Sequence, residues 1–413
     1  MQTKHIHINT TYEDITAPKP GKNGFRKPIE NSAMKIALLT DGIYPFVMGG
    51  MQKHSYYLAK YLAKNKVRVD LYHTVAPDNH IDYEGIFTLE ELKFINPIQF
   101  EFPRLKYFPG HYLRESYIYS QQIYDHLVNN LDVVFIYAKG FTAWKLLNQK
   151  RRGYNFPPIG VNFHGYEMFQ KAPSWKLKLQ HYLLRPTVKA MITRADYVFS
   201  YGGKINKIIE GRGLQASHII EIPTGIEKDW IITTARQPES RRKFVFIGRF
   251  ERRKGIEEIN SVLESLIETD DFEFHFIGAI PGDVRLRSRK CVYWNSITDE
   301  EQIKGILRGC DVLVCPSYSE GMPNVILEGM ASGLAIIATN VGAVASIVSG
   351  KNGWLLDSGT PKRLKEAMLS AIHITDHTLL TKKNHSLNMV KKRYTWDVVI
   401  ERTLTSIKNL LQK

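Results

Sequence analysis

Hydrophobic residues recur along this chain in two alternating patterns. Short apolar runs bounded by Gly, Pro or charged positions read as strands buried on both faces. Between them, apolar residues spaced three and four apart read as amphipathic helices. The first half carries strand runs at Lys35–Thr40, Val67–His73, Val133–Tyr137, Ile159–Phe163 and Tyr197–Tyr201. The second half restarts at Phe244–Gly248 and continues at Phe272–Ile277, Val292–Trp294, Val312–Cys315, Ala335–Thr339 and Trp354–Leu356. This alternation predicts an α/β architecture of two open parallel sheets, each with its own helices. A length of 413 residues leaves room for two domains, and residues 214–225 form the expected junction. In such sheets ligands bind beyond the carboxyl ends of the strands, so the loops after strands carry the functional weight.

One of those loops is the most telling. After Val312–Cys315 the chain reads Ser319-Glu320-Gly321-Met322-Pro323-Asn324-Val325-Ile326-Leu327-Glu328, a strand followed by a Gly/Pro turn and a helix. Pro323 suits the first helical position. The amides of Asn324 and Val325 then lack intrahelical partners and form an anion site at the helix start. Glu320 and Glu328 bracket that site and would repel a bare phosphate. A phosphate esterified to sugars instead brings hydroxyl donors on either side, and a carboxylate accepts two neighbouring hydroxyls. The arrangement suggests a sugar–diphosphate–nucleoside, one carboxylate serving each flanking sugar. The plain alternative is a strand–turn–helix with two surface glutamates.

Glu320 to Glu328 resembles the E-x7-E motif of the retaining glycosyltransferases of family GT4, which have the GT-B fold. Three more loops carry the likeness. Gly248-Arg249 at a strand end and Lys254-Gly255 before a helix resemble the family segment whose Arg and Lys hold the diphosphate. The lysine and the arginines there oppose the helix dipole, which suggests that an anion sits among them. Arg252 and Arg253 are expected to be solvated, and Glu257 and Glu258 to be ordinary dipole-compensating residues. Gly49-Gly50, where the backbone can approach a ligand closely, resembles the family's glycine loop near donor and acceptor. It is not the G-x-G-x-x-G dinucleotide fingerprint. His164, exposed at a strand end before Gly165, matches a histidine that reaches the donor sugar; Glu167 nearby is a weaker candidate.

Departures are visible as well. Thr224 replaces the usual Asn of a P-N-G segment near the hinge. Ala335, Ala343, Ala345 and Ser346 stand where Pro, Gly, Pro and Glu are common, which leaves the loop after Thr339 without an assigned role. The resemblance covers residues 34–413. It implies two Rossmann-like domains facing across a cleft: an acceptor-binding domain at 34–216, a nucleotide-sugar domain at 217–392, and a helix at 393–413 crossing back onto the first. It also implies transfer from a nucleotide-diphosphate sugar to a glycan or lipid-linked acceptor, with retention and with no cofactor or essential metal. Expected catalytic residues are His164, Glu320, Arg249 and Lys254. Expected donor contacts are Gly49, Gly50, Gly248, Arg249, Lys254, Glu320, Gly321, Met322, Asn324, Val325 and Glu328. Rival readings are a sugar-nucleotide epimerase or phosphorylase on the same fold, or a non-catalytic nucleotide-sugar-binding partner in a membrane assembly complex.

Charge adds a partner to this picture. The net charge is +15, and residues 145–194 hold ten Lys or Arg against the single acid Glu167. Such a field attracts nucleic acid, anionic membrane or anionic substrate. No nucleic-acid-reading motif accompanies it, so no nucleic-acid partner is expected. Trp175, Leu179, Tyr182 and Leu183 share one helical face among Lys171, Lys176, Lys178 and Arg185, which fits either a basic helix lying on a membrane or a core-facing helix with a solvated basic side. No apolar run is long enough to span a bilayer. Residues 1–33 lack the apolar core of a signal peptide and read as a flexible extension. The three cysteines have no metal spacing and read as reduced core residues. A cytoplasmic location follows as the expectation, peripheral on the inner membrane face if the basic helix binds there.

Overall fold

The computed structural model describes residues 34–75, 82–106, 108 and 110–412; the extension expected at 1–33 lies outside them. Seven strands form the first sheet: β1 (Lys35–Leu39), β2 (Arg68–Val75), β3 (Ile95–Glu101), β4 (Phe135–Lys139), β5 (Ile159–Asn162), β6 (Tyr197–Ser200) and β7 (Ile219–Glu221). Six form the second: β8 (Arg242–Ile247), β9 (Phe272–Ile277), β10 (Cys291–Tyr293), β11 (Val312–Cys315), β12 (Ala335–Thr339) and β13 (Gly353–Leu356). The orders are β3-β2-β1-β4-β5-β6-β7 and β10-β9-β8-β11-β12-β13, with parallel neighbours throughout. Each order reverses once, at β1/β4 and at β8/β11. Ligands of doubly wound sheets bind at such switch points, where neighbouring loops diverge and leave a crevice.

The apolar runs are continuous because both faces of each sheet are covered by helices. Two hydrophobic clusters flank the first sheet and two the second. β3 and β7 were not among the predicted strands. β7 also shifts the domain boundary: it pairs with β6, so residues 219–221 belong to the first sheet and not to a second domain beginning at 217.

The chain crosses between the domains twice. After β7 it enters the second domain, and after the helix Asp376–Arg393 it returns as the helix Trp396–Leu411. Trp396, Val399, Ile400, Leu404 and Ile407 pack in the same cluster as Tyr57, Leu58 and Tyr61 of the helix Gly50–Lys64. Burying Val399, Ile400, Leu404 and Ile407 contributes roughly 6–12 kcal/mol as an upper bound, enough to hold the returning helix firmly. The two crossing segments touch. Ile226 N–H donates to Tyr394 O at 2.8 Å and Trp396 N–H to Ile226 O at 3.1 Å. Gly225 lies against the Trp396 indole, where an added Cβ would come within 2.8 Å of the ring.

Candidate active site

The carboxyl ends of the two sheets face one another across a cleft of about 670 Å³. Its walls include Gly49, Gly50, His164 and Glu167 from the first domain. From the second come Gly248, Arg249, Arg253, Lys254, Glu320, Gly321, Met322, Asn324, Val325 and Glu328. Every site residue expected from the sequence therefore lines one cavity. The approach is close: a Cβ on Gly321 would lie 3.1 Å from the His164 carbonyl carbon, and one on Gly50 would lie 3.9 Å from Asn324 Nδ2.

The helix Asn324–Ala331 opens beneath this cleft with Pro323 at its N-cap and not at its first helical position, so it begins one residue later than the sequence suggested. The first backbone bond of the turn runs from Ile326 N–H to Pro323 O. The Asn324 and Val325 amides have no acceptor among the described residues, as an anion site requires. Behind the turn, the loop whose role the sequence left open acts as a support. Ala343 N–H donates to Gly321 O at 2.8 Å, and Gly342, at φ 52°, fits against the Glu320 and Gly321 carbonyls where no Cβ has room.

Each carboxylate is paired with a lysine. Lys254 Nζ lies 2.6 Å from Glu320 Oε1, with Arg253 at 3.7 Å. Lys53, from the first domain, lies 3.2 Å from Glu328 Oε1 and 3.0 Å from Glu300 Oε1. Burial works against the Lys53 charge, but Glu328 and Glu300 outweigh it and raise its pKa.

Two expectations need correction. Arg253, expected to be solvated, is turned inward between Glu251 at 2.7 Å and Glu320. It follows Glu251 into a short 3-10 turn that aims Arg253 and Lys254 at the cleft. Arg249 is the more exposed of the two, its side chain 73% accessible and paired with Glu251 at 2.9 Å on the rim. Glu258 is likewise more than a dipole partner: buried, it takes Arg252 at 2.6 Å and the Tyr318 hydroxyl at 2.6 Å.

On the facing wall His164 occupies a left-handed backbone conformation, φ 57°. That strain is unusual for a residue with a side chain and is held by the bond from the His164 backbone N–H to the Asn162 side-chain Oδ1, 2.7 Å. Tyr201 Oη lies 2.5 Å from His164 Nδ1, and His164 Nε2 is buried with no partner among the described residues. Burial, helped by Lys139 and His54, holds the imidazole well below its ordinary pKa. Lys139, wholly buried at the end of β4, reaches His54 Nδ1 at 2.8 Å. Glu167 faces Arg253 and Glu320 across the cleft; its pKa is raised by burial, and it makes no ion pair among the described residues. Sequence reading did not single out Lys53, Arg253, Lys139 or Tyr201 as site residues. Only Lys139 left a trace, as a cation ending the apolar run Phe135–Ala138.

Residues 48–230 match the profile described as Glycosyltransferase Family 4, and residues 241–373 that described as Glycosyl transferases group 1. The chain belongs to the group 1 glycosyltransferases. A Bacillus subtilis glycosyltransferase assigned to teichuronic acid biosynthesis is 32% identical over 195 residues, covering 45% of this chain and 49% of that protein. An uncharacterized glycosyltransferase of Methanocaldococcus jannaschii is 31% identical over 162 residues, covering 37% of this chain and 44% of that protein. In these matches the chain spans about half the relative's length. Among solved structures, the sucrose-phosphate synthase of Thermosynechococcus elongatus superposes with a TM-score of 0.72 at 17% identity, covering 91% of this chain and 99% of that one. Two facing parallel sheets with a returning C-terminal helix make this a GT-B glycosyltransferase fold.

Proposed function

We propose that the protein transfers a sugar from a nucleotide-diphosphate sugar to a hydroxyl of a surface glycan, with retention of anomeric configuration and without a divalent metal. One observation carries this reading: the two motif carboxylates lie in a single cleft, each already paired with a lysine, on either side of two unpartnered amides at a helix start. The diphosphate sits at the Asn324 and Val325 amides beside Lys254 and Arg253, with Arg249 closing from the rim. Preorganised donors of this kind stabilise the charge that grows on a departing phosphate, because they need no reorientation as the bond breaks. Glu328 takes the ribose hydroxyls; Glu320 and His164 take hydroxyls of the transferred sugar. The departing phosphate accepts the acceptor's proton. Gly49-Gly50 leaves room for donor and acceptor to meet.

The acceptor is a glycan held at an anionic membrane on the cytoplasmic side. Supporting this, the helix Trp175–Arg194 carries no acid and leaves Trp175 80%, Leu179 58%, Tyr182 50% and Leu183 50% accessible. A core-facing role for that stripe does not fit such exposure. No described helix is long and apolar enough to cross a membrane, so contact would be peripheral through this basic, apolar face.

Nucleotide sugars should be screened for protection against thermal unfolding, and the stabilising donor then used for turnover with and without a chelator. Unchanged turnover in both Lys254→Ala and Glu328→Ala would show that the site is wrong. Loss of turnover with chelator would refute metal independence, and an inverted product anomer would refute retention. For the membrane, wild type should co-float with phosphatidylglycerol vesicles at low salt and Trp175→Ala/Leu179→Ala should not; equal flotation would dismiss this surface.

A further inference from the structure

We propose that Asn162 and Tyr201 are positioning residues that lock His164 in its Nε2–H tautomer, so that it meets the bound sugar as a neutral hydrogen-bond donor. This rests on the glycosyltransferase reading for the sugar, but the lock itself follows from hydrogen-bond polarity alone.

The polarity starts from a group that can only donate, the backbone N–H of His164. It points at Asn162 Oδ1, 2.7 Å away. That contact fixes the orientation of the amide, because the oxygen must face the N–H and the NH2 must face the other way. The NH2 then meets a phenol oxygen: Asn162 Nδ2 donates to Tyr137 Oη at 3.2 Å. The Tyr201 hydroxyl meets one acceptor among the described residues, His164 Nδ1 at 2.5 Å, so its single proton goes there. A nitrogen that accepts carries no proton, so the single proton of the neutral ring is on Nε2. That nitrogen lacks a partner among the described residues and belongs to a residue lining the cleft.

The surroundings keep the ring neutral. Lys139 donates to His54 Nδ1 at 2.8 Å, and the His54 ring stands edge-on to His164 with centroids 5.3 Å apart. Further groups around the imidazole are the phenols Tyr201 and Tyr137 behind it, Glu167 in the same loop and, across the cleft, the paired Glu320 and Lys254. Burial holds Lys139 well below its ordinary pKa, and Asp41 beyond it acts the other way. Among the described residues no carboxylate bonds either nitrogen, so an imidazolium there would have no hydrogen-bonded counter-ion. His164 therefore neither gives up nor takes up a proton in turnover; it offers one N–H in a fixed direction. The αL backbone belongs to the same device, since it brings the residue's own amide onto the Asn162 side chain that orders the ring.

The test is nitrogen NMR on full-length protein labelled with 15N-histidine, His164 being assigned by its loss in His164→Gln. The expected wild-type pattern is Nε2–H, unchanged from about pH 5.5 to 8. Tyr201→Phe should show mixed tautomers or a titration, and Asn162→Ala, which removes the acceptor that holds the His164 backbone, should do the same. In turnover Tyr201→Phe should lower kcat about 10–100-fold, the range for outer hydrogen bonds that orient a histidine, with nucleoside-diphosphate affinity unchanged. An Nδ1–H wild type, or a wild-type titration near 6.5, would overturn the proposal. So would a Tyr201→Phe protein with wild-type tautomer and wild-type kcat. Should Tyr201→Phe fail to fold, the Asn162→Ala spectrum decides. The spectra need no substrate, so an absence of transfer with every donor would sink the glycosyltransferase reading and leave the lock standing.

Discussion

Replacing Lys53 by methionine should open the cleft. Its ammonium bridges the domains, 3.2 Å from Glu328 and 3.0 Å from Glu300, with side-chain exposures of 19%, 10% and 28%. At an effective dielectric near 20, one pair at about 4 Å attracts by about 4 kcal/mol. Loss of one partner of a buried pair costs about 3–5 kcal/mol, because a carboxylate stays buried and uncompensated. These groups are partly wet, so about 2–3 kcal/mol is the working figure. The loss falls on closure rather than on folding, since both carboxylates regain water once the domains separate. It corresponds to a roughly 30–150-fold shift from closed to open. Small-angle scattering and interdomain energy transfer on Lys53→Met, Glu328→Gln and the double variant would measure it as a double-mutant cycle. The single variants should each widen the domain separation and the double should add little. Additivity within about 0.5 kcal/mol, or an unchanged separation in Lys53→Met, would refute the bridge.

Other consequences follow from the same geometry. Lys254→Ala should lower kcat/KM about 10²–10³-fold, as for loss of one preorganised donor, with Lys254→Arg recovering part; wild-type kinetics in the alanine variant would exclude Lys254 from the donor site. Stability should fall with acid. Burial holds His54 and His164 well below the ordinary histidine range and lowers His73 to about 4. The unfolded chain therefore binds protons below about pH 6.5 that the folded chain does not, and His73 alone removes about 2 kcal/mol at pH 5. Asp41, raised by burial to about 6, acts in the opposite direction between pH 6 and 4 and recovers only part. A melting temperature that is flat or rising from pH 7.5 to 5 would contradict this. Leu404→Ala, in the returning helix, should cost about 2–4 kcal/mol in urea unfolding; a change under 1 kcal/mol would mean that the helix is not held by its apolar face.

Strands that are apolar on both faces were legible in the sequence because nothing else in the chain has that pattern. β3 was not: it is an edge strand reading Ile-Asn-Pro-Ile-Gln-Phe-Glu, with Pro97 where an interior strand would need a donor. β7 is three residues long at the opposite edge, too short for a period to show. The cleft residues were legible where a loop after a strand combined Gly with a charge, as at Gly248-Arg249 and Glu320-Gly321. Arg253 was not, because a run of cations looks solvated until a backbone turn decides which one points inward. Lys53 sits mid-helix, and its partners lie more than 200 positions away in the other domain. Tyr201 ends an apolar run like any core aromatic; only the neighbouring strand end shows that its hydroxyl meets His164.

The paired crossing segments set how the halves of this molecule can move. Two separate linkers would let one domain swivel and slide against the other. Here Ile226 is bonded to both Tyr394 and Trp396, so the linkers move as one strip. What remains is rotation about that strip, the motion of a book on its spine, with the Gly49-Gly50 and Glu320–Glu328 walls as the facing pages. Gly225 then acts as clearance in the spine. A methyl group there would press on the Trp396 indole and change the resting angle of the book without touching a residue that faces the cleft.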